Sequence, residues 1–173
     1  MSEPAPAGGR SVAPLTIAVA VAVVIVDQLT KWWAVNTLDD RNIYVVWTLR
    51  FHLAYNTGMA FSRGQNLGPL IGVVALVIVV VLLLSVKRTS SRLSEVVVGL
   101  IIGGAIGNII DRLVREPYWL RGGVVDFIDF QWFPIFNVAD MAITIGGALL
   151  IVTSYVGSRH RDAEPAVTEV EAP

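Results

Sequence analysis

The stretch GGVVDFIDFQWFPIFNVADMAIT, residues 122–144, decides how this chain is read. A short apolar run from Val124 to Ile128 holds one carboxylate, Asp126. Pro134 breaks the run, and a second carboxylate, Asp140, stands at the mouth of a long hydrophobic segment. An acid inside apolar sequence costs free energy unless it has a partner or a purpose. Two acids brought to one poorly solvated place cannot both ionise readily, so together they form a proton-handling device. Whether the chain is built around that pair depends on what the apolar segment is and where the other polar residues fall.

The segment opening at Phe136 is one of four hydrophobic runs, at about 15–35, 67–86, 96–113 and 136–156. Each approaches the ~20 residues a helix needs to cross ~30 Å of hydrocarbon. Hydrophobic residues make up 54% of the chain and charged residues 16%, the composition of an integral membrane protein. Because lipid cannot satisfy backbone polar groups, the expected fold is mainly α: four transmembrane helices with a small extracytoplasmic β-rich loop region. The first run also resembles the apolar part of a signal peptide, but DQLTKWW follows it instead of a small-residue cleavage site. A net charge of −1 gives no reason to expect a nucleic-acid partner. The absence of cysteine excludes disulfides, thiolate metal sites and a cysteine nucleophile. His52 and His160 stand too far apart in sequence to suggest a metal cluster, so neither metal nor cofactor is expected.

Residues 1–14 and 157–173 read as disordered cytoplasmic tails flanking a membrane domain at 15–156. Lys87, Arg88 and Arg92, with Arg159 and Arg161, favour cytoplasmic placement of the loop after the second run and of both termini. Loops 36–66 and 114–135 are then extracytoplasmic, although they too carry arginines. In the first loop, Ile43–Leu49 and a second extended piece from Leu53 to the turn at Asn56-Thr57-Gly58 predict a small sheet on the outer membrane surface. Pro117, Tyr118 and Trp119 suggest a short interfacial helix over Glu116–Gly123.

The polar residues of the runs fall at one membrane face. Asp27 and Lys31 sit late in the first run, Asn108, Asp111 and Arg112 late in the third, Asn137 and Asp140 early in the fourth. Alternating helix directions bring those ends together, along with Asn56 and Asp126 from the loops. Asp27 and Lys31 are four residues apart and share a helix face, as do Gly104, Asn108 and Arg112. Gly99, Gly103 and Gly107 form a small-residue stripe suited to close helix packing. Plainer readings exist for each. Asp27 and Lys31 could be an anchoring ion pair, Asn108 and Arg112 could glue helices together, and Asn137 with Asp140 could simply cap a helix. Asp129 reads as a solvated loop acid, and Trp32, Trp33, Tyr118, Trp119 and Trp132 as interface anchors. A transporter would spread its polar residues through the bilayer depth, an assembly subunit gives no reason for paired acids, and a serine–lysine protease lacks a convincing serine near Lys31.

DQLTK (27–31), NTGMAFS (56–62), GNIIDR (107–112), VVDFID (124–129) and FNVAD (136–140), in that order among four hydrophobic runs, resemble the lipoprotein signal peptidases, or signal peptidase II. The resemblance covers about 15–156. It implies an aspartic endopeptidase of the bacterial inner or plasma membrane that cuts a prolipoprotein signal peptide immediately before a diacylglyceryl-bearing cysteine. Its partners would be such precursors and membrane lipids. It implies a catalytic dyad at Asp126 and Asp140, with Asp27, Lys31, Asn56, Gly58, Asn108, Arg112 and Asn137 shaping the site or touching substrate. Two charges ~4 Å apart repel by ~4 kcal/mol at a dielectric of ~20, about 3 pK units, so one shared proton near neutrality is expected. A base at the helix terminus, Asp140, is favoured, with the titration belonging to the pair.

Overall fold

The computed structural model describes residues 14–58, 70, 73–74, 77, 91–116 and 119–162. The elements in order are α1 (Pro14–Thr37), β1 (Ile43–Val46), β2 (Leu49–Asn56), α2 (Arg92–Val114), β3 (Val124–Asp129) and α3 (Val138–Asp162). Among the described residues three helices are long and apolar enough to cross a membrane: α1, α2 and α3 as far as Tyr155. They correspond to the first, third and fourth hydrophobic runs. The predicted helix at 67–86 falls outside the described residues, apart from the helical positions Leu70, Val73, Val74 and Val77. Lys87, Arg88, Tyr118 and residues 59–62 also fall outside.

α2 begins at Arg92, four residues before its apolar run, because extended Ser91 stands at its N-cap and accepts the Glu95 N–H through its carbonyl at 3.3 Å. α3 continues to Asp162, so residues 157–162 are helical and not part of the expected tail. The next helix-breaking proline is Pro165. The expected interfacial helix at 116–123 is replaced, over its described residues, by a turn with left-handed φ of 53° at Trp119 and 64° at Leu120. That loop folds back onto the end of α2, where the Gly122 N–H reaches the Arg112 carbonyl at 3.2 Å. A Cβ on Gly122 would lie 2.6 Å from the carbonyl oxygens of Arg115 and Asp111, so only glycine permits the approach.

The three strands form an antiparallel sheet in the order β1-β2-β3. The expected extended piece Ile43–Leu49 is split: β1 ends at Val46, Leu49 opens β2, and Trp47 turns the hairpin at φ 51°. β3 is the apolar run that carries Asp126. Sequence left its structure open, and pairing with β2 makes it a strand, with Ala54 opposite Asp126 and Asn56 opposite Val124.

Two packed clusters hold these parts together. Ala20, Ile102 and Ala105 join α1 to α2, while Ala34, Leu38, Val125 and Phe127 seat the end of α1 on the sheet. Trp33 belongs to the second cluster, edge-on to Phe51 at 5.4 Å and to Phe127 at 6.1 Å, and is not an interface anchor. The glycine stripe faces α1: a Cβ on Gly99 or Gly103 would come within 2.8 Å of the Thr16 or Ala20 carbonyl. Gly104 faces α3 and abuts the carbonyl of Ala139. The backbones therefore approach closely enough for side chains near the ends of α1 and α2 to reach α3.

Candidate active site

β3 delivers Asp126. Side chains alternate along a strand, so Val125 and Phe127 enter the core and Asp126 takes the opposite face, itself 3% exposed. Asn56 is its diagonal neighbour on β2 and donates Nδ2 to Asp126 Oδ2 at 3.2 Å. Asn56 Oδ1 accepts the Gly58 N–H at 3.1 Å, which fixes the amide with its nitrogen toward the acid.

α3 delivers Asp140 in its first turn. Asn137 Oδ1 accepts the Asp140 N–H at 2.9 Å, and Asp140 Oδ2 accepts the Asn137 N–H at 3.2 Å. This reciprocal pair is a capping box. A third free N–H of the helix end, that of Ala139, goes to Asp27 Oδ1 on α1 at 2.9 Å. Capping and site-building are thus done by the same atoms.

Asn137, fully buried, lies between the two acids. Its Nδ2 donates to Asp126 Oδ1 at 2.6 Å, while its other amide atom and its backbone hold Asp140. The same Nδ2 also approaches Asn108 Oδ1 at 3.1 Å and the Val125 carbonyl at 3.3 Å. Asn108 donates Nδ2 to Asp140 Oδ1 at 2.8 Å and accepts from Lys31 Nζ at 2.9 Å. An ammonium only donates, so the Asn108 oxygen must face Lys31 and its nitrogen must face Asp140. Each carboxylate oxygen of the pair consequently faces an N–H donor.

Lys31 has no exposed surface and is clasped by Asp27 Oδ2 at 2.8 Å and Asp111 Oδ2 at 2.9 Å. Sequence reasoning placed Asp111 late in the third run but not among the site-shaping residues. Its Oδ1 meets Arg115 Nε at 3.0 Å, and Oδ2 also accepts the Val125 N–H at 3.1 Å, next to Asp126. The available signal was its position three residues after Asn108, on the same helix face. Gln28 was also missed; it ties Asp27 Oδ2 to the Gly107 carbonyl, both at 3.1 Å. Arg112 donates Nη2 to the Gly58 carbonyl at 3.1 Å and keeps Nη1 buried, without a partner among the described residues. Asp129 is buried, not solvated: Arg50 Nε holds its Oδ2 at 2.7 Å. The structure therefore joins all nine residues singled out from the sequence in one network.

Burial, then the charge of Asp140, push the Asp126 carboxyl up to about 7, against the opposing pull of Asn56, Asn137 and Lys31. A cavity of about 540 Å³ opens onto both acids, its remaining wall mostly apolar residues such as Phe133, Phe136, Met141 and Ile145. Two carboxyls on a shared cavity, one holding a proton near neutrality, can activate a water and donate to an oxygen at once.

A sequence profile described as Signal peptidase (SPase) II matches residues 19–156. The chain belongs to the signal peptidase II family. Lipoprotein signal peptidases from Shouchella clausii (38% identical, covering 82% of this chain and 93% of the relative) and Mycobacterium tuberculosis (36%, covering 91% and 82%) are similar to it. So is the one from Mycobacterium leprae, 35% identical over 83% of this chain and 72% of its own length. A solved structure described as a bacterial membrane enzyme superposes with a TM-score of 0.73 at 30% identity, over 88% of this chain and 93% of the other. Membership of signal peptidase II makes this chain a peptidase, and its apolar helices make it a membrane protein. The matched residues of the signal peptidase II profile contain every site residue named above.

Proposed function

We propose that this chain is an aspartic endopeptidase that removes signal peptides from bacterial prolipoproteins, cutting immediately before a cysteine that carries diacylglyceryl. The observation that carries this reading is Asn137, one buried residue that ties the two acids together: its Nδ2 donates to the Asp126 carboxylate and its backbone N–H to the Asp140 carboxylate. In the proposed reaction ionised Asp140 takes a proton from water, whose oxygen attacks the scissile carbonyl carbon. Protonated Asp126 donates to the carbonyl oxygen as the tetrahedral intermediate forms. Collapse breaks the C–N bond: the proton gained by Asp140 passes to the leaving amine, and a hydroxyl of the intermediate returns its proton to Asp126 as the carbonyl re-forms. Charge counting supports one proton on the pair: the network holds four carboxylates (Asp27, Asp111, Asp126, Asp140) against three cations (Lys31, Arg112, Arg115). Arg112 Nη1, buried and without a partner among the described residues, is suited to a substrate carbonyl.

The same reading has four spanning helices, the second at 67–86, with both termini and the flanking tails in the cytoplasm and the site near the extracytoplasmic face. A signal peptide crossing the bilayer as a helix would emerge there, with its acyl chains still in lipid and water at hand. The test is single replacement, Asp126→Asn and Asp140→Asn, with a diacylglyceryl precursor as substrate. Each should lower turnover by about 10²–10⁴-fold, the usual worth of a positioned acid or base. Near wild-type cleavage by either variant would remove the dyad.

A further inference from the structure

Two grooves meet at Asp126. The first, about 540 Å³, follows the opening turns of α3 past Asp140 to Met141, Thr144 and Ile145. The second, about 560 Å³, starts from the same Asn56 and Asp126 and crosses the sheet to Arg50, Asp129 and Gln131. Phe133, Pro134 and Ile135 also line both. An extended chain laid across the two acids must put one side of its scissile bond in each groove.

We infer that the second groove is the subsite for the polypeptide just after the lipidated cysteine, and that Arg50 makes it discriminate against basic residues there. This rests on the peptidase reading above. Polarity divides the occupants. The first groove descends along a spanning helix whose Met141 and Ile145 are 42% and 49% exposed, so apolar chain or acyl tail can enter it from lipid. An acyl chain in the second groove would strip water from an ion pair and gain little. The polar chain that continues beyond the membrane has no such penalty.

The charge presented by that groove follows from which partner of the pair is covered. The Asp129 side chain is 4% exposed, with Oδ2 taken by Arg50 Nε at 2.7 Å and Oδ1 by the Gln131 N–H at 2.6 Å. The Arg50 side chain is 24% exposed. A passing side chain meets the guanidinium first, and the carboxylate lies behind it. Acidic residues are attracted and basic residues repelled.

The experiment compares precursors that differ only in the two residues following the lipidated cysteine, Asp-Asp, Ser-Ser or Lys-Lys, with the full chain reconstituted in lipid. The wild type should show kcat/KM about threefold higher for the acidic than for the basic precursor, the size expected of a solvent-facing charge pair. In the double variant Arg50→Gln, Asp129→Asn, which leaves no buried charge alone, the acidic-to-basic ratio should fall to about one. The ratio is internal to each enzyme, so a general loss of activity cancels. Salt at about 0.5 M should collapse the wild-type ratio in the same way through screening, which tests the idea without a mutation. Equal cleavage of all three precursors by the wild type, or a ratio unchanged in the double variant, overturns the subsite alone. No cleavage of any precursor overturns the peptidase reading beneath it.

Discussion

Asp126 keeps its proton because the strand turns it away from water and because Asp140 shares its cavity. The folded carboxyl titrates near 7, well above the ordinary value of 3.8. If protonated Asp126 is the acid, kcat/KM should fall about tenfold per pH unit above that titration, which a pH–rate profile on an uncharged precursor checks. The stability sign follows from proton counting. Between the two values the folded state holds a proton the unfolded chain has released, so this residue's contribution weakens as pH rises from about 4 to 7. Beyond either limit it is constant. Much of the site is legible at this scale because polar groups in apolar helices are expensive, and Asp27, Lys31, Asn108, Asn137 and Asp140 each stand out against their neighbours. Asp129 was misread for the same reason: it follows the apolar run at its edge, and nothing local says that Arg50, 79 residues away, covers it.

At the scale of elements, the ends of α1, α2 and β3 are fastened by one buried ammonium and its two acids. Removing a single partner from such a cluster leaves charge buried without compensation, typically worth 3–5 kcal/mol. Lys31→Met should therefore destabilise the fold by about that amount in a thermal unfolding assay in detergent. Adding Asp27→Asn should recover part of the loss, since one uncompensated charge goes with it. A wild-type melting temperature for Lys31→Met would mean that the cluster carries no stability. The helices themselves could be read from hydrophobic length, and the α3 cap from Asn137 and Asp140 three residues apart. β3 could not be read so: six residues with two acids satisfy no single periodicity, and the register with β2 decides their structure. The turn at Trp119 and Leu120 escaped notice because its left-handed backbone is imposed by closure onto α2, not by the residues that adopt it.

For the whole molecule, the proposed topology can be tested cleanly because the chain has no cysteine of its own. Trp47→Cys, at a hairpin position 93% exposed, should react with a membrane-impermeant thiol reagent on intact cells. Ser91→Cys, exposed before α2, should react only after the membrane is opened. The reverse pattern would turn the site to the cytoplasm and end the proposed account. Sequence alone determined that the chain is a membrane protein with its polar residues gathered at one face, because insertion cost acts residue by residue and leaves its mark in composition and spacing. Tertiary structure alone decided which distant groups meet: Lys31 with Asp111, Asn137 with Asp126, Arg50 with Asp129. Those pairings depend on helix approach and strand register across tens of residues, and hydrogen-bond geometry is settled only when the elements are packed.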